Sequence, residues 1–241
     1  MAEIAVITAN LGSFENDADE RKWTAQSVPC DFYKFTDENF PPRNAALTPR
    51  LQARIPKMFF WQLAPDYKYY IWFDSSLSVT SSDMVKWFLE KLGDYDAVFL
   101  KHPNRSSIAS ESEFLKKKLS ENDYYIVPRY TNELIDEELA EIQADKNFID
   151  NTLLASTTFI CRNNEKVQSL MKEWWYHTSR YHIIDQLGLP YAIYKSGCNV
   201  NIINDNYMRL EHMTHVRKTF YKTIWRDSKG IIYKAERPKP K

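Results

Sequence analysis

Apolar residues along this chain fall into short blocks, and the stretches between them are polar or spaced at helical intervals. The sharpest boundary lies in residues 67–82, Tyr67-Lys-Tyr-Tyr-Ile-Trp-Phe-Asp74-Ser75-Ser76-Leu-Ser-Val-Thr-Ser-Ser, where an aromatic run stops at a carboxylate followed by small hydroxyl residues. Tyr69 to Phe73 is apolar on both sides of the pleat, the pattern of a strand covered by helices on both faces. Glu3–Asn10, Cys30–Asp37, Asp96–His102 and Leu153–Cys161 read as further strands. Thr48 and Pro49 suit the N-cap and first position of a helix over about 49–63, which Pro56 should kink or split in two. Helices are also predicted over about 82–92 and after Ser110, where Glu113 completes a capping-box signal. Two more follow: Thr131–Ala144, with Leu134, Leu139 and Ile142 on a mixed face, and Glu165–Thr178, carrying Trp174 and Trp175. Strands alternating with helices from end to end predict an α/β fold.

Composition narrows this to one globular domain. The chain has 241 residues, 44% hydrophobic, 27% charged and 15% aromatic, enough for a sizeable core. Lysine plus arginine balance aspartate plus glutamate, so no net charge draws the chain to nucleic acid or to an anionic membrane. No segment reaches the roughly 18 apolar residues of a membrane span, and Glu3 interrupts any signal-peptide pattern. Cys30, Cys161 and Cys198 are few and far apart, which indicates neither a disulfide framework nor a cysteine zinc site; a reducing cytoplasm is the simplest setting. The ending Glu236-Arg-Pro-Lys-Pro-Lys241 is basic and proline-spaced, so a domain over 1–230 is expected to run into a flexible tail or linker over 231–241.

The candidate chemistry begins with what is missing. There are five glycines, no G-x-x-x-x-G-K-[ST] loop and no G-x-G-x-x-G after the first strand, which excludes P-loop hydrolases, kinases and dinucleotide dehydrogenases. Phosphate binding without a glycine cradle needs cationic side chains or a metal. Arg50, Arg54 and Lys57, at i, i+4 and i+7, share one helical face and lead into the strand that ends at Asp74; the alternative is a solvated basic face. Asp74 itself sits where open α/β sheets place their ligands. A carboxylate at the rim of an aromatic core is costly to desolvate unless a cation meets it. It reads as a ligand for a metal–diphosphate or a sugar, or else as a turn aspartate. Lys101-His102-Pro-Asn-Arg105 puts His102 and Arg105 at another strand end, in reach of a diphosphate or sugar hydroxyl, or in a plain turn. Asp185-Gln186 lies among apolar neighbours; a buried carboxylate there could take a proton from a hydroxyl nucleophile, or could merely start a helix. His212-x-x-His215 has the spacing of a metal pair, though two exposed histidines would look the same.

In order, Phe32-Tyr-Lys-Phe-Thr-Asp37, the Arg/Pro/Lys helix, Tyr70-Ile-Trp-Phe-Asp74-Ser75-Ser76, Lys101–Arg105 and Asp185-Gln186 resemble a glycosyltransferase-like family. That family includes plant pectin and mucilage enzymes, and the set also resembles the capsid-glycan glycosyltransferase domains of chlorella viruses. The resemblance spans roughly residues 3–218. It implies a GT-A fold: a Rossmann-like nucleotide-binding half joined to an acceptor half in one α/β domain, with a mixed, mainly parallel sheet. It implies an inverting glycosyltransferase that uses a nucleotide-sugar donor, UDP-linked, and a hydroxyl of a glycan or glycoprotein acceptor. Thr8 and Asn10 would lie near base and ribose with Asp37 nearby, and Arg54 and Lys57 would face the diphosphate. Asp74 takes the place of the first aspartate of the D-x-D motif, which carries Mn2+ or Mg2+; Ser75 and Ser76 follow it, and His215 matches a late histidine of the metal shell. Asp185 would be the base on the acceptor side. Ser76 departs from the motif, and a hydroxyl binds a hard cation more weakly than a carboxylate, so a loosely held ion is expected. Trp174, Trp175 and Tyr181 are candidates for stacking on acceptor sugars, with helix packing the better reading for at least one of the tryptophans. A retaining transferase, which needs no acceptor base, and a catalytically silent binding module are the rival readings; the inverting reading needs Asp74 and Asp185 on the same side of the molecule.

Overall fold

The structure, a computed structural model, describes residues 2–12, 23–42, 44, 46–123, 125–206, 210–215, 222–226 and 232–236; Pro128, His215 and the last two segments are described by backbone alone. In chain order the elements are β1 (Ile4–Asn10), β2 (Asp31–Thr36), α1 (Pro49–Gln52), α2 (Arg54–Met58), α3 (Phe60–Leu63), β3 (Tyr69–Phe73), β4 (Leu77–Val79) and α4 (Met84–Leu92). They continue as β5 (Ala97–Lys101), α5 (Ile108–Ser120), α6 (Val127–Tyr130), α7 (Ile135–Ala144), β6 (Leu154–Arg162), α8 (Glu165–Arg180), α9 (Asp185–Ser196) and β7 (Val200–Ile203). Three short strands follow: β8 (Met213–His215), β9 (Lys222–Arg226) and β10 (Ile232–Glu236).

Six strands form one sheet in the order β2-β1-β3-β6-β5-β7. Only β6 runs against its neighbours, which gives the mixed, mainly parallel sheet of the expected fold class. One edge of the sheet therefore collects the C-terminal ends of β1, β2, β3 and β5 together with the start of β6. Between β1 and β3 the connections part in opposite directions, the switch point where α/β sheets open a crevice.

Alternation along the strands sorts side chains to two cores. Ala5, Ile7, Tyr70, Trp72 and Phe99 face α2, α3 and α8, where Met58, Phe60 and Trp174 are buried. Val6, Ile71, Phe73 and Val98 face α4, where Met84, Val85 and Phe88 are buried. Helices on both faces are why the strands read as continuous apolar runs. Each fully buried chain of this size stabilises the fold by roughly 1.5–3 kcal/mol.

Several boundaries differ from the sequence pattern for local reasons. Thr48 does cap α1, accepting the Leu51 N–H at 3.2 Å, with Pro49 at the first position. The predicted 49–63 helix is broken into three pieces, at Ala53 and Phe59, and Pro56 lies inside α2. It is the third residue of α2, where its missing N–H would have had no intrahelical partner. The helix after Lys101 is capped by Ser107, whose hydroxyl takes the Ser110 N–H at 3.0 Å. Asp150 fixes that choice by accepting the N–H groups of Ile108 and Ala109 at 2.7 and 2.8 Å, so the Ser110/Glu113 signal was misplaced by one turn. The predicted 131–144 helix shortens to α7, with α6 ahead of it. Of the stretch read as a tail, Ile232–Glu236 pairs antiparallel with β9, and 237–241 lie outside the described residues.

Candidate functional site

At the switch point the first loop turns on Gly12, whose φ is +73° and whose absent side chain leaves room for Pro49: a Cβ there would lie 2.4 Å from the proline ring. The close approach brings α1 and α2 against the end of β1. A cleft of about 200 Å3, open to solvent, results, and it is lined by Asn10, Arg50, Arg54, Asp74, Ser75 and Arg129 among others. A second cleft shares Asn10 and Ser75 with it and is walled by Thr8, Trp23, Phe32 and Phe73. Trp23 stacks on Phe32 with centroids 4.4 Å apart. A cationic chamber thus opens into an aromatic slot.

Behind the arginine cleft lies a buried charge cluster. Lys57 is fully buried, its ammonium 2.6 Å from Asp185 Oδ2 and 3.6 Å from Asp74 Oδ1. The rings of Trp72 and Trp174 lie 5.6 and 5.3 Å from the same ammonium. Asp185 Oδ2 also meets Arg54 Nε at 3.0 Å, and Oδ1 accepts the Ser156 hydroxyl at 2.9 Å. Burial alone would raise the pKa of this carboxyl, but the charges of Arg54 and Lys57 outweigh it and hold Asp185 below the usual carboxylate value. Asp74 Oδ1 accepts the Trp72 indole N–H at 2.8 Å, an intrastrand brace that turns the carboxylate toward the lysine.

The residues singled out in the sequence divide among five places. Asn10, Arg54, Asp74, Ser75 and Ser76 line the arginine cleft, Thr8 lines the aromatic slot, and Lys57 and Asp185 sit in the cluster beneath. Asp37 braces the first loop, accepting the Gly12 N–H at 2.7 Å. His102 and Arg105 line a third cleft, which shares Tyr125 with the arginine cleft. Burial, then the neighbouring Arg105 charge, pushes the His102 pKa down to about 4. Trp174 packs in the core, as expected of at least one tryptophan, and donates its indole N–H to the Asp185 carbonyl at 2.5 Å; Tyr181 is buried too, which overturns its stacking role. Trp175 packs edge-on to Phe59.

Arg129 and the aromatic slot carried no sequence signal. Arg129 arrives from α6, and its guanidinium stands 3.8 Å from the Tyr125 ring centroid. Arg50 is steadied by the Tyr130 hydroxyl at 3.2 Å and the Arg129 carbonyl at 3.5 Å.

For a divalent cation the donor set is sparse. Among the described residues no group of three histidine, cysteine, aspartate or glutamate side chains could hold a metal. Pairing of β4 with β8 sets the His215 backbone opposite Leu77, beside the Asp74 turn; its side chain, like Arg217 and Lys218, lies outside what is described. One carboxylate with two hydroxyls fits an ion that takes its remaining ligands from water and from a bound phosphate, as Mg2+ commonly does.

The model of the TOD1/MUCI70 glycosyltransferase-like domain family matches residues 43–219 of the chain. No curated protein sequence matches. Among solved structures, similarity extends to a glycosyltransferase involved in the glycosylation of the major capsid of PBCV-1. The two share 6% identity and a TM-score of 0.40, over 83% of this chain and 81% of that one. No helix among the described residues is long and apolar enough to cross a membrane.

Proposed function

Because this chain belongs to the TOD1/MUCI70 glycosyltransferase-like domain family, we propose that it moves a sugar from a nucleotide-sugar donor, UDP-linked, to a hydroxyl of a glycan or glycoprotein acceptor. The observation that carries the reading is the continuity of the two clefts through Asn10 and Ser75. The aromatic slot suits a nucleobase, which offers two flat apolar faces and a polar edge. The arginine cleft suits the diphosphate, since guanidinium groups bind phosphate oxygens through paired, charge-assisted hydrogen bonds.

In the transfer, the bond from the anomeric carbon to the phosphate oxygen breaks with its electron pair going to the diphosphate, and a bond to the acceptor oxygen forms. Negative charge grows on the leaving group. Arg50, Arg54 and Arg129 are positioned before reaction, so their stabilisation strengthens toward the transition state without reorganisation. Asp74 holds Lys57 toward this cleft, adding a positive charge behind the guanidinium groups. A bound Mn2+ or Mg2+ would neutralise part of the diphosphate charge, with Asp74, Ser76 and His215 as its expected protein ligands.

Inverting transfer assigns Asp185 as the base that takes the acceptor proton. For that role Asp185 must give up a partner: Oδ2 is shared by Arg54 and Lys57, so both must turn from it, or Ser156 must release Oδ1. A retaining transfer is the second reading, and the occupied carboxylate favours it: both Asp185 oxygens are engaged and its pKa is held low, which weakens it as a base. There the acceptor proton passes to the departing phosphate oxygen, and Asp185 positions Arg54 and Lys57.

Isothermal titration with UDP, followed by UDP-release assays across UDP-sugars, tests the donor assignment; absence of UDP binding with and without Mn2+ overturns it. NMR assignment of the product anomer then decides between inversion and retention.

A further inference from the structure

The two clefts that meet at Tyr125 differ in charge. Three guanidinium groups and one carboxylate, Asp74, line the arginine cleft. The third cleft, between the end of β5 and helices α5, α6 and α9, balances Arg105 and Lys118 against Glu111 and Asp123. Those charges are also tied down locally. Glu111 is buried; its Oε2 pairs with Arg105, and its Oε1 accepts the Gln186 amide at 2.6 Å. Asp123 Oδ1 accepts the N–H groups of Tyr125 and Ile126 at 2.9 and 3.0 Å, and Lys118 meets Glu121 at 2.7 Å. His102 adds no charge near neutral pH, because burial and Arg105 push its pKa down to about 4. Its Nδ1 accepts the Arg105 and Asn104 N–H groups at 3.1 and 3.3 Å, and its Nε2 lies 3.5 Å from an Arg105 guanidinium nitrogen.

We propose that this third cleft is the acceptor site and that it takes an uncharged sugar residue. The inference rests on the donor reading above and adds to it the place and chemical class of the acceptor. Phe114 supplies an apolar wall, with the Arg105 guanidinium 4.0 Å from its ring centroid. Tyr125, 38% exposed, is the partition. Arg129 stands over its ring and lines the arginine cleft but not the third, so the ring would separate phosphates on one side from hydroxyls on the other. Aromatic walls with a neutral imidazole, an amide and charges that each have a local partner match a sugar, which presents apolar C–H faces and hydroxyl edges but no charge. A cleft meant for an acidic sugar would keep a cation without a carboxylate beside it. Gln186 adjoins Asp185 in sequence, so the hydroxyls held here lie next to the charge cluster that supports the donor.

Saturation-transfer NMR in the presence of UDP is the test, with methyl β-D-glucoside, methyl β-D-galactoside and methyl α-D-mannoside as neutral probes and the matching methyl glucuronide and galacturonide as acidic ones. The expected result is saturation of at least one neutral glycoside, falling at least fivefold in Phe114→Ala. The same fall is expected in Lys118→Trp, a partly exposed position on α5 where the new ring fills the cleft without entering the core. Stronger signals from the uronides overturn the uncharged class. Neutral signals that survive in both variants overturn the location, and silence from every glycoside in a chain that still binds UDP overturns the inference alone. Glycoside saturation that vanishes in both variants, in a chain that fails to bind UDP, supports this site and overturns the donor reading instead.

Discussion

Asp74 and Asp185 meet the same ammonium: Lys57 Nζ lies 3.6 Å from Asp74 Oδ1 and 2.6 Å from Asp185 Oδ2. The two carboxylates that the inverting reading needs on one side of the molecule are therefore joined through a single fully buried cation. A buried lysine is tolerated only when its charge is answered, and here two acids and two indole rings answer it.

Removing one partner should be costly. Asp185→Asn leaves Lys57 and Arg54 facing an uncharged amide, and breaking a buried pair of this kind costs about 3–5 kcal/mol. Urea melts should show that loss, and the double variant Asp185→Leu with Lys57→Met should recover most of it. A loss below about 1 kcal/mol in Asp185→Asn would mean the pair is solvated like a surface bridge.

Each arginine of the cleft should count toward the diphosphate. Charge-assisted hydrogen bonds contribute about 1.5–3 kcal/mol, so Arg54→Ala and Arg129→Ala should each weaken UDP about 10- to 100-fold by titration calorimetry. The loss should shrink at high salt. Affinities within threefold of the parent chain would remove these residues from the phosphate site.

The aromatic slot makes a separable prediction. Trp23→Ala removes one wall and the stack on Phe32. UDP should weaken at least tenfold while inorganic pyrophosphate, which has no base, binds as before. Equal losses for both ligands would place the base elsewhere.

Metal removal should have a bounded effect. With one carboxylate at the Asp74 turn and three arginines opposite, EDTA should weaken UDP binding by about tenfold or less, a difference of roughly 1.4 kcal/mol. Complete loss of binding in EDTA would make the cation, rather than the guanidinium groups, the main phosphate ligand.

A buried triad away from the clefts sets a pH dependence. Glu138 takes His177 Nδ1 at 2.8 Å and forms an ion pair with His182. Burial alone would lower the His182 pKa, but the Glu138 hydrogen bond and charge outweigh it and raise it above 6.5. The Glu138 pKa is lowered below 4.5: burial opposes this, and the two histidines override it. By linkage, the His182 contribution is complete below its unfolded value and disappears as pH rises through the folded one. The Glu138 contribution is present above its unfolded value and disappears as pH falls through the folded one. Melting temperature should therefore decline from pH 6 toward pH 9, and His182→Gln should flatten that decline. An unchanged slope in the variant would assign the dependence to another group.

The sequence by itself determined five of the six strands of the main sheet, β1, β2, β3, β5 and β6, and the order of these with the helices α4, α5, α7 and α8. Blocks such as Tyr69–Phe73 read as two-faced buried strands because alternation is a local property, and Thr48-Pro49 announced a helix start because capping spans only a few residues. It also marked Asp74, since a carboxylate closing an aromatic run is anomalous wherever the chain later goes. The tertiary structure decided what those charges answer to. Lys57 reaches Asp185 across 128 residues, Arg129 enters from a short helix with no periodic pattern, and Ser107 rather than Ser110 caps α5 because Asp150 arrives from a distant turn. Ion pairs and cleft walls depend on distance in space, which hydrophobic periodicity does not encode; two arginines on one face look alike in sequence whether they meet water, a buried aspartate or a ligand.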